Sequence, residues 1–294
     1  KFYDWRIMMD HRGRSLLEIH IAVLLFGLTG LFGKSVDIPA RYIVLGRVFF
    51  ASLSMGIYFL IKRKDIRLTC GADYTAISLL GALLAFHWTA FYTSVQVSTV
   101  AIALLTFSAY PIFVTFLEPL MFRERLKKID VLFAFVMFMG VLLIVPEFNI
   151  KNNLTIGLLW GMAGSVSFAV MSLLNRRFAS SYEGSVIAFY EQGIAALVLL
   201  PMLLFYRPAV SAKDWGLLIL LGVLFTGVAH SLFIGGMKHV RAQTAGIIAS
   251  LESVYGIISA ALILGEIPSL RELVGGAVIL GTAAYSTLRS SKEG

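Results

Sequence analysis

The chain has 294 residues, of which 58% are hydrophobic and 14% charged, with a formal net charge of +8 and a mean hydropathy of +0.84. Soluble domains carry roughly 45–50% apolar and about 25% charged residues, so this composition excludes a disordered chain and an ordinary soluble enzyme and indicates a polytopic membrane protein. The one cysteine, Cys70, allows no internal disulfide.

Apolar stretches long enough to cross about 30 Å of hydrocarbon recur along the chain. Their approximate bounds are 16–33, 42–61, 74–92, 99–121, 129–146, 157–174, 186–206, 215–237, 243–264 and 270–288. They are continuously apolar rather than alternating, which favours helices over the strands of a barrel. The first stretch has no small-residue cleavage site, so we expect a span rather than a signal peptide. The sequence therefore predicts an all-α membrane protein with ten transmembrane helices.

Basic residues are distributed unequally between alternate loops. If the N-terminus is cytoplasmic, 18 of the 25 Lys and Arg residues lie on the cytoplasmic side, in the segments 1–14, 62–67, 123–128, 176–177, 238–241 and 289–292. Six lie on the opposite side, and Arg47 lies within a span. Because cytoplasmic loops carry the excess of Lys and Arg, we expect a multi-pass protein of the cell membrane with both termini in the cytoplasm.

An internal repeat emerges when the chain is aligned with itself at a shift of 142 residues. The shift aligns Phe91, Ala103, Ser108 and Glu124 with Phe233, Ala245, Ser250 and Glu266. Each half would contain five spans, and an odd number places the halves in opposite orientations. The predicted organisation is a cytoplasmic N-terminal segment, two inverted five-helix repeats and a cytoplasmic tail, at 1–15, 16–146, 154–288 and 289–294. Secondary transporters often have such inverted repeats, with substrate bound near the midplane between them.

Short motifs recur at matching places in the two halves. They are Thr99-Val100-Ala101, Tyr110-Pro111, Arg123-Glu124-Arg125-Leu126 and Gly140-Val141, then Ala242-Gln243-Thr244-Ala245, Leu251-Glu252-Ser253-Val254, Gly265-Glu266 and Gly275-Gly276. With these motifs the chain, from about residue 16 onward, resembles the ten-helix EamA branch of the drug/metabolite transporter superfamily. The resemblance implies transport of small metabolites, commonly efflux, along a pathway between the third, fourth, eighth and ninth helices. One departure is Ser253, where relatives often have the proline that Pro111 keeps in the first half.

Three charged residues lie well inside the predicted spans. A charge within a span costs roughly 2.5–3.5 kcal/mol on insertion scales and usually faces protein or water. Glu252 lies close to the middle of its span, whereas Arg47 and Glu191 lie at mirrored depths near opposite edges, which predicts two separate sites rather than one ion pair. Each residue either lines a cavity or forms a structural hydrogen bond. For Glu252, the first alternative predicts that it carries a proton or binds a cationic group.

Aromatic and imidazole side chains accompany these charges. The shift of 142 residues aligns Trp88 with His230 and Tyr110 with Glu252, so we expect these four side chains to face one cavity. The other candidates for substrate binding are His87, Tyr190, Tyr255, Arg47 and Glu191. Such a site could hold an organic cation or the ammonium group of an amino acid by cation–π attraction. The alternative is that these rings only pack between helices.

The sequence contains no complete motif for phosphate binding or for metal binding. The run Gly27–Ser35 has Leu28 where a phosphate-binding loop needs glycine, and no His, Cys and Asp cluster has the spacing of metal ligands. We therefore predict no cofactor, no metal and no catalytic residue. The basic segment 123–128 suits contact with anionic membrane lipid rather than nucleic acid. Without an ATP-binding motif, a substrate or proton gradient must supply the driving force.

The favoured function is a secondary transporter that exports amino acids or amines by alternating access. A nucleotide-sugar or other metabolite exchanger is an alternative, although a nucleotide sugar would need more cavity cations than Arg47. An intramembrane enzyme using Glu252 with His87 or His230 would lack a nucleophile, and a membrane scaffold predicts a dry interior. The predicted partners are a small-molecule substrate and membrane lipid; proton coupling and a homodimer stay open.

Overall fold

The computed structural model describes residues 11–122, 126, 128–144, 149–240 and 242–293, and within these ranges every regular element is helical. The α-helices are α1 (His11–Ser35), α2 (Ala40–Lys62), α3 (Gly71–Val97), α4 (Val100–Phe107), α5 (Tyr110–Phe122), α6 (Lys128–Ile144), α7 (Asn153–Ala179), α8 (Gly184–Leu199), α9 (Ala212–Gly222), α10 (Ala229–Gly236), α11 (Ala242–Leu264) and α12 (Leu270–Glu293). A 3₁₀-helix, Leu200–Leu204, extends α8, and a π-helix, Val223–Val228, joins α9 to α10.

Seven helical segments in the described ranges are long and apolar enough to cross a membrane. They are His11–Ser35, Ala40–Lys62, Gly71–Val97, Val100–Met121, Asn153–Ala179, Gly184–Leu204 and Ala212–Gly236, with a shorter apolar stretch at Leu251–Leu264. The all-helical, multi-pass membrane architecture is therefore confirmed, whereas ten spans and the inversion of the two halves remain predictions. Residues 1–10, 123–125, 127, 145–148, 241 and 294 lie outside the described residues, and so do the motif residues Arg123, Glu124 and Arg125.

Helix ends extend beyond several predicted spans. Helix α1 begins at His11 rather than at 16, and α12 continues to Glu293 through most of the predicted tail. Where polar residues precede an apolar run, they cap it: Thr99 Oγ1 accepts a hydrogen bond from the amide of Ile102 (3.1 Å), and the Asn152 side chain accepts one from the amide of Leu154 (2.9 Å). Such caps satisfy amides that have no partner within their helix.

The predicted span 99–121 is interrupted, with α4 ending at Phe107 and α5 beginning at Tyr110. Pro111 has no amide hydrogen, so the carbonyl of Phe107 loses the partner that a continuous helix would supply. The hydroxyl of Ser165 on α7 donates to this carbonyl (2.9 Å) and to that of Thr106 (2.6 Å). A neighbouring helix thereby stabilises the break, as membrane interiors require of freed backbone groups.

Helix α11 runs without a break through Ser253, the position where relatives often have proline. Its hydroxyl donates to the carbonyl of Leu104 (2.9 Å) and lies 2.5 Å from the hydroxyl of Ser108. Serine at this position therefore joins α11 to the interrupted segment between α4 and α5.

Most helices share one apolar core, while α6 and α12 pack against each other around a smaller cluster that includes Met137, Val141 and Ile279. Gly140 on α6 and Gly275 on α12 allow this close approach: a Cβ added at Gly275 would lie 2.7 Å from the carbonyl oxygen of Gly140. Small residues at such contacts are typical of membrane helices. The remaining helices enclose the buried polar residues described next.

Candidate functional site

Arg47 on α2 is fully buried and is held by three different contacts. Its Nε donates to Thr226 Oγ1 (2.9 Å), its Nη1 donates to the hydroxyl of Tyr92 (3.2 Å), and its Cζ lies 3.5 Å from the centroid of the Trp88 ring. Its Nη2 has no hydrogen-bond partner among the described residues. The guanidinium group is therefore fixed in place with one donor free.

The π-helix between α9 and α10 positions Thr226 against Arg47. In this wider turn the Thr226 hydroxyl donates to the carbonyl of Leu221 (2.8 Å), five residues earlier, and accepts from Arg47. π-Helical turns inside α-helices often occur at functional sites. Thr226 and Tyr92 were not predicted as site residues, because a hydroxyl within an apolar run has no distinctive sequence signal.

Glu191 on α8 and His230 on α10 form a second buried pair. Glu191 Oε2 lies 2.9 Å from His230 Nε2, and the two side chains are 0% and 3% exposed. The other polar atoms of the pair, Glu191 Oε1 and His230 Nδ1, have no hydrogen-bond partner among the described residues. Arg47 and Glu191 thus have different partners, in agreement with their predicted separation.

Glu252 on α11 is buried and makes no side-chain hydrogen bond to another described residue. Its strongest charged neighbour is Arg47, close enough for a direct electrostatic interaction. The two groups interact through space, and no ion pair between them is present in the described part of the chain. Ionisable groups inside membrane spans are rare and usually functional, which indicates that Glu252 serves more than helix packing.

His87, Trp88 and Tyr110 form an aromatic wall beside these charges. His87 Nδ1 lies 3.0 Å from the carbonyl of Gly164 and 3.3 Å from the hydroxyl of Ser167, and its ring meets that of Trp88 edge to face. The Tyr110 ring stacks on Phe107 at 5.7 Å. Trp88 Nε1 and the Tyr110 hydroxyl have no hydrogen-bond partner among the described residues. Since Arg47 covers one face of Trp88, that face is not available to a substrate cation.

Two sequence candidates lie elsewhere. The Tyr190 hydroxyl donates to the carbonyl of Ile66 (3.1 Å), and its ring packs edge-on against Tyr74, at the end of the bundle where α2 ends and α3 begins. Tyr255 is half-buried at the contact with α1. A Cβ added at Gly27 of that helix would lie 2.7 Å from the Cβ of Tyr255. Neither tyrosine is in the group of buried residues around Arg47 described above.

The central cluster is defined here as Arg47, Trp88, Tyr110, Glu191, His230 and Glu252. Five of its six residues, all but Glu252, contain a buried polar atom without a partner among the described residues. Buried polar groups in folded proteins are nearly always hydrogen-bonded, so this concentration indicates a site built for a polar ligand or for exchangeable protons. In the ranges described, no group of three or more His, Cys, Asp and Glu residues could hold a metal ion.

A cavity of about 780 Å³ opens at the end of the bundle where α1 begins and α2 ends, which we call the cavity end. Its charged and imidazole lining residues are His11, Arg14, Glu18, Lys64, Glu183, Lys238 and His239. Its walls also include Gly227 and Ser231, which flank His230 on the π-helix and α10. The cavity therefore reaches to the helix turn that holds the Glu191–His230 pair.

The opposite end, where α1 ends and α4 begins, is joined by polar contacts and is called the closed end. Lys34 Nζ donates to the carbonyl of Ser98 (2.7 Å) and lies 3.7 Å from Glu266 Oε1. Glu266 Oε2 accepts from the amide of Val100 (2.9 Å), and Glu272 Oε1 accepts from the Thr99 hydroxyl (3.2 Å). These contacts join the ends of α1, α3 and α4 to the segment between α11 and α12.

The sequence matches the model of the EamA-like transporter family over residues 14–145 and 155–288. The chain belongs to this family. Its members are named as transporters and not as enzymes, so the protein is a multi-pass membrane transporter of small molecules.

Individual relatives differ in the direction that their names give. The chain is 23% identical over 262 residues to the pseudopaline exporter CntI of Pseudomonas aeruginosa, covering 88% of this chain and 89% of that protein. It is 25% identical over 247 residues to the S-adenosylmethionine uptake transporter of Rickettsia prowazekii, covering 84% and 82%. A solved crystal structure, 20% identical, matches with a TM-score of 0.69 over 95% of this chain and 98% of that chain, and shares the fold.

Proposed function

We propose that the protein exports small metabolites that carry an amino group, such as amino acids or amines, by alternating access of the central cluster. The two halves, 16–146 and 154–288, would be inverted five-helix repeats that rock against each other around this cluster. The observation that carries the proposal is the concentration of unpartnered buried polar atoms around Arg47 and Glu252. The open cavity at one end and the polar contacts at the other support it.

The two charges suggest how such a substrate would be oriented. The free Nη2 of Arg47 is a donor suited to a carboxylate, and Glu252 is an acceptor suited to an ammonium group. Trp88, Tyr110 and His87 add apolar surface beside these groups. Arg47 is the one buried arginine or lysine side chain within the described ranges, and a single cation favours a carboxylate over the diphosphate of a nucleotide sugar.

The name of the exporter of pseudopaline gives a precedent for outward transport in the family, and that of the S-adenosylmethionine uptake transporter gives one for inward transport. The direction is therefore to be measured. Purified protein in liposomes loaded with the standard amino acids, putrescine and ethanolamine should release a subset of them faster than protein-free liposomes. Mass spectrometry of the outer solution identifies that subset.

The variant Glu252→Gln keeps the shape of the side chain but removes its charge. We expect the released subset to fall by at least tenfold, because the amide offers the ammonium group no charge. Asp37→Asn is the matched control, since Asp37 is exposed between α1 and α2 and should transport as the parent does. Wild-type rates for Glu252→Gln would assign Glu252 a structural role, and release of no compound at all would contradict the proposed substrate class.

A further inference from the structure

The Glu191–His230 pair differs from the rest of the central cluster in that both of its members are titratable and they contact each other. A carboxylate and an imidazole 2.9 Å apart share one hydrogen bond, Nε2–H to Oε2 or the reverse. A neutral imidazole ring already carries one N–H hydrogen. When the pair holds one further proton, it is neutral overall, either as a carboxylate with an imidazolium or as a carboxylic acid with a neutral imidazole. Removing that proton leaves a net negative charge in a buried position.

The surrounding elements set the charge that the pair experiences. On α3, His87 interacts electrostatically with both His230 and Arg47, and Arg47 on α2 interacts in turn with Glu252 on α11. The facing surface of α1 carries Phe26, whose ring lies 6.2 Å from His230. The α7 residue beside His87 is Phe168, which also meets the Phe233 ring of α10.

When Glu252 is ionised, its charge compensates that of Arg47, and the neutral, singly protonated form of the pair then suits this environment. In a medium of low dielectric constant, an uncompensated charge is strongly disfavoured. If a substrate brings a net positive charge to Glu252, the buried region becomes neutral again when the pair releases its proton. The proton and the substrate cation therefore weaken each other's binding electrostatically, although they bind to different atoms.

We propose that Glu191 and His230 form a proton-binding site of the carrier, separate from the substrate groups Arg47 and Glu252. Neither side chain lines the cavity, but Gly227 and Ser231, on the helical turn that carries His230, do, so we assign the release of the proton to the cavity side. The proton returns when the pair faces the opposite side. This coupling rests on the proposed transport function and makes the transporter an antiporter of protons against those of its substrates that carry a net positive charge, such as amines.

Infrared spectroscopy of the purified protein over a pH series tests the site with the proton itself as the probe. We expect one carboxyl band, of the acid C=O or of the carboxylate, that changes with pH in the wild type, is absent in Glu191→Gln and moves its midpoint in His230→Gln. The exposed-carboxylate control Asp37→Asn should keep this band unchanged. Identical pH difference spectra of the wild type and Glu191→Gln in both the C=O and the carboxylate regions would overturn the proposal.

A second measurement separates the proton site from transport. In liposomes with the amino acid and amine mixture on both sides, the ratio of accumulation driven by a pH gradient to exchange at equal pH should fall at least tenfold in Glu191→Gln and stay unchanged in Asp37→Asn. Accumulation retained by Glu191→Gln would contradict proton coupling through the pair. If no compound is exchanged even by the wild type, the proposed transport function fails, whereas the infrared titration still decides the proton site. Folding of each variant is checked by thermal unfolding and by the 15N resonances of its remaining histidines.

Discussion

The planar guanidinium group of Arg47 makes three different contacts, and a lysine at this position could not make all of them. Its Nε and Nη1 reach Thr226 and Tyr92 in a fixed fork while its plane lies on Trp88. A lysine ammonium keeps the charge but cannot reproduce the fork or the stacking. For Arg47→Lys we expect release from loaded liposomes to fall at least tenfold, because the donor aimed at the substrate is no longer held in place.

The matched control for this change is Arg41→Lys, since Arg41 is exposed on the same helix and its guanidinium lies over the ring of Tyr42. It should transport at the parental rate. Equal rates for the two variants would mean that the geometry of the Arg47 guanidinium is irrelevant to transport. A thermal melt of both proteins separates a loss of activity from a loss of folding.

At the residue scale, the sequence predicts the charged and aromatic side chains of the site but not how they pair. Arg47, Glu191 and Glu252 stand out because charges inside apolar spans are expensive, and all three are buried. Their partners come from distant helices, as in Glu191 with His230, 39 positions apart, and no periodicity encodes such contacts. The repeat aligned His230 with Trp88 instead, which describes equivalent positions rather than neighbours.

At the scale of elements, the break between α4 and α5 depends on one side chain of another helix. Ser165 donates to the carbonyls of Thr106 and Phe107, so Ser165→Ala leaves both without that donor. Hydrogen bonds between membrane helices contribute about 0.6 kcal/mol on average, and we expect Ser165→Ala to lower the unfolding free energy by about 1 kcal/mol. Ser181→Ala, at an exposed position after α7, should leave the melting temperature unchanged. If both variants melt alike, the break does not need Ser165.

The interruption illustrates what local sequence can and cannot predict about an element. The dipeptide Tyr110-Pro111 marks the start of α5, because proline removes a donor from the preceding turn, yet the whole segment 99–121 is apolar enough to be one span. The π-helix at Val223–Val228 has no such marker. In this turn the Thr226 hydroxyl donates to the carbonyl of Leu221, five residues earlier, and accepts from Arg47 on another helix. The local sequence does not encode this contact between helices.

The closed end offers a test of how the two ends alternate. Lys34 and Glu266 contact the backbone of Ser98 and Val100, where α3 meets α4. The double change Lys34→Ala with Glu266→Ala removes both contacts and leaves the hydrogen bond between Thr99 and Glu272 in place. With Cys70 replaced by alanine, a cysteine at the buried position Val100 should then react with an impermeant maleimide at least tenfold faster. Lys213→Ala, at an exposed lysine in the first turn of α9, is the control. Unchanged labelling would mean that these contacts do not restrain the closed end.

At the scale of the whole molecule, the cavity and the basic residues make one joint prediction about orientation. The residues around the cavity end include Lys64 and Lys238, in loops that the excess of Lys and Arg assigns to the cytoplasm. The closed end includes Lys34, in a loop assigned to the outside. If the orientation is right, the structure has its cavity open to the cytoplasm, which is the state that an exporter uses to load its substrate.

Cysteine labelling in intact cells measures this orientation directly. On a background without Cys70, an impermeant maleimide applied from outside should react with a cysteine at Lys151, which is exposed before α7, and not with one at Lys64. Permeabilised cells should label both, which controls for intrinsic reactivity. The expected difference is all or none, because an intact bilayer excludes the reagent from one side. The opposite pattern would place the cavity on the outer surface. The protein would then bind its substrate from the outside, as an importer does. In the proposed antiport, the Glu191–His230 pair would release its proton outside the cell.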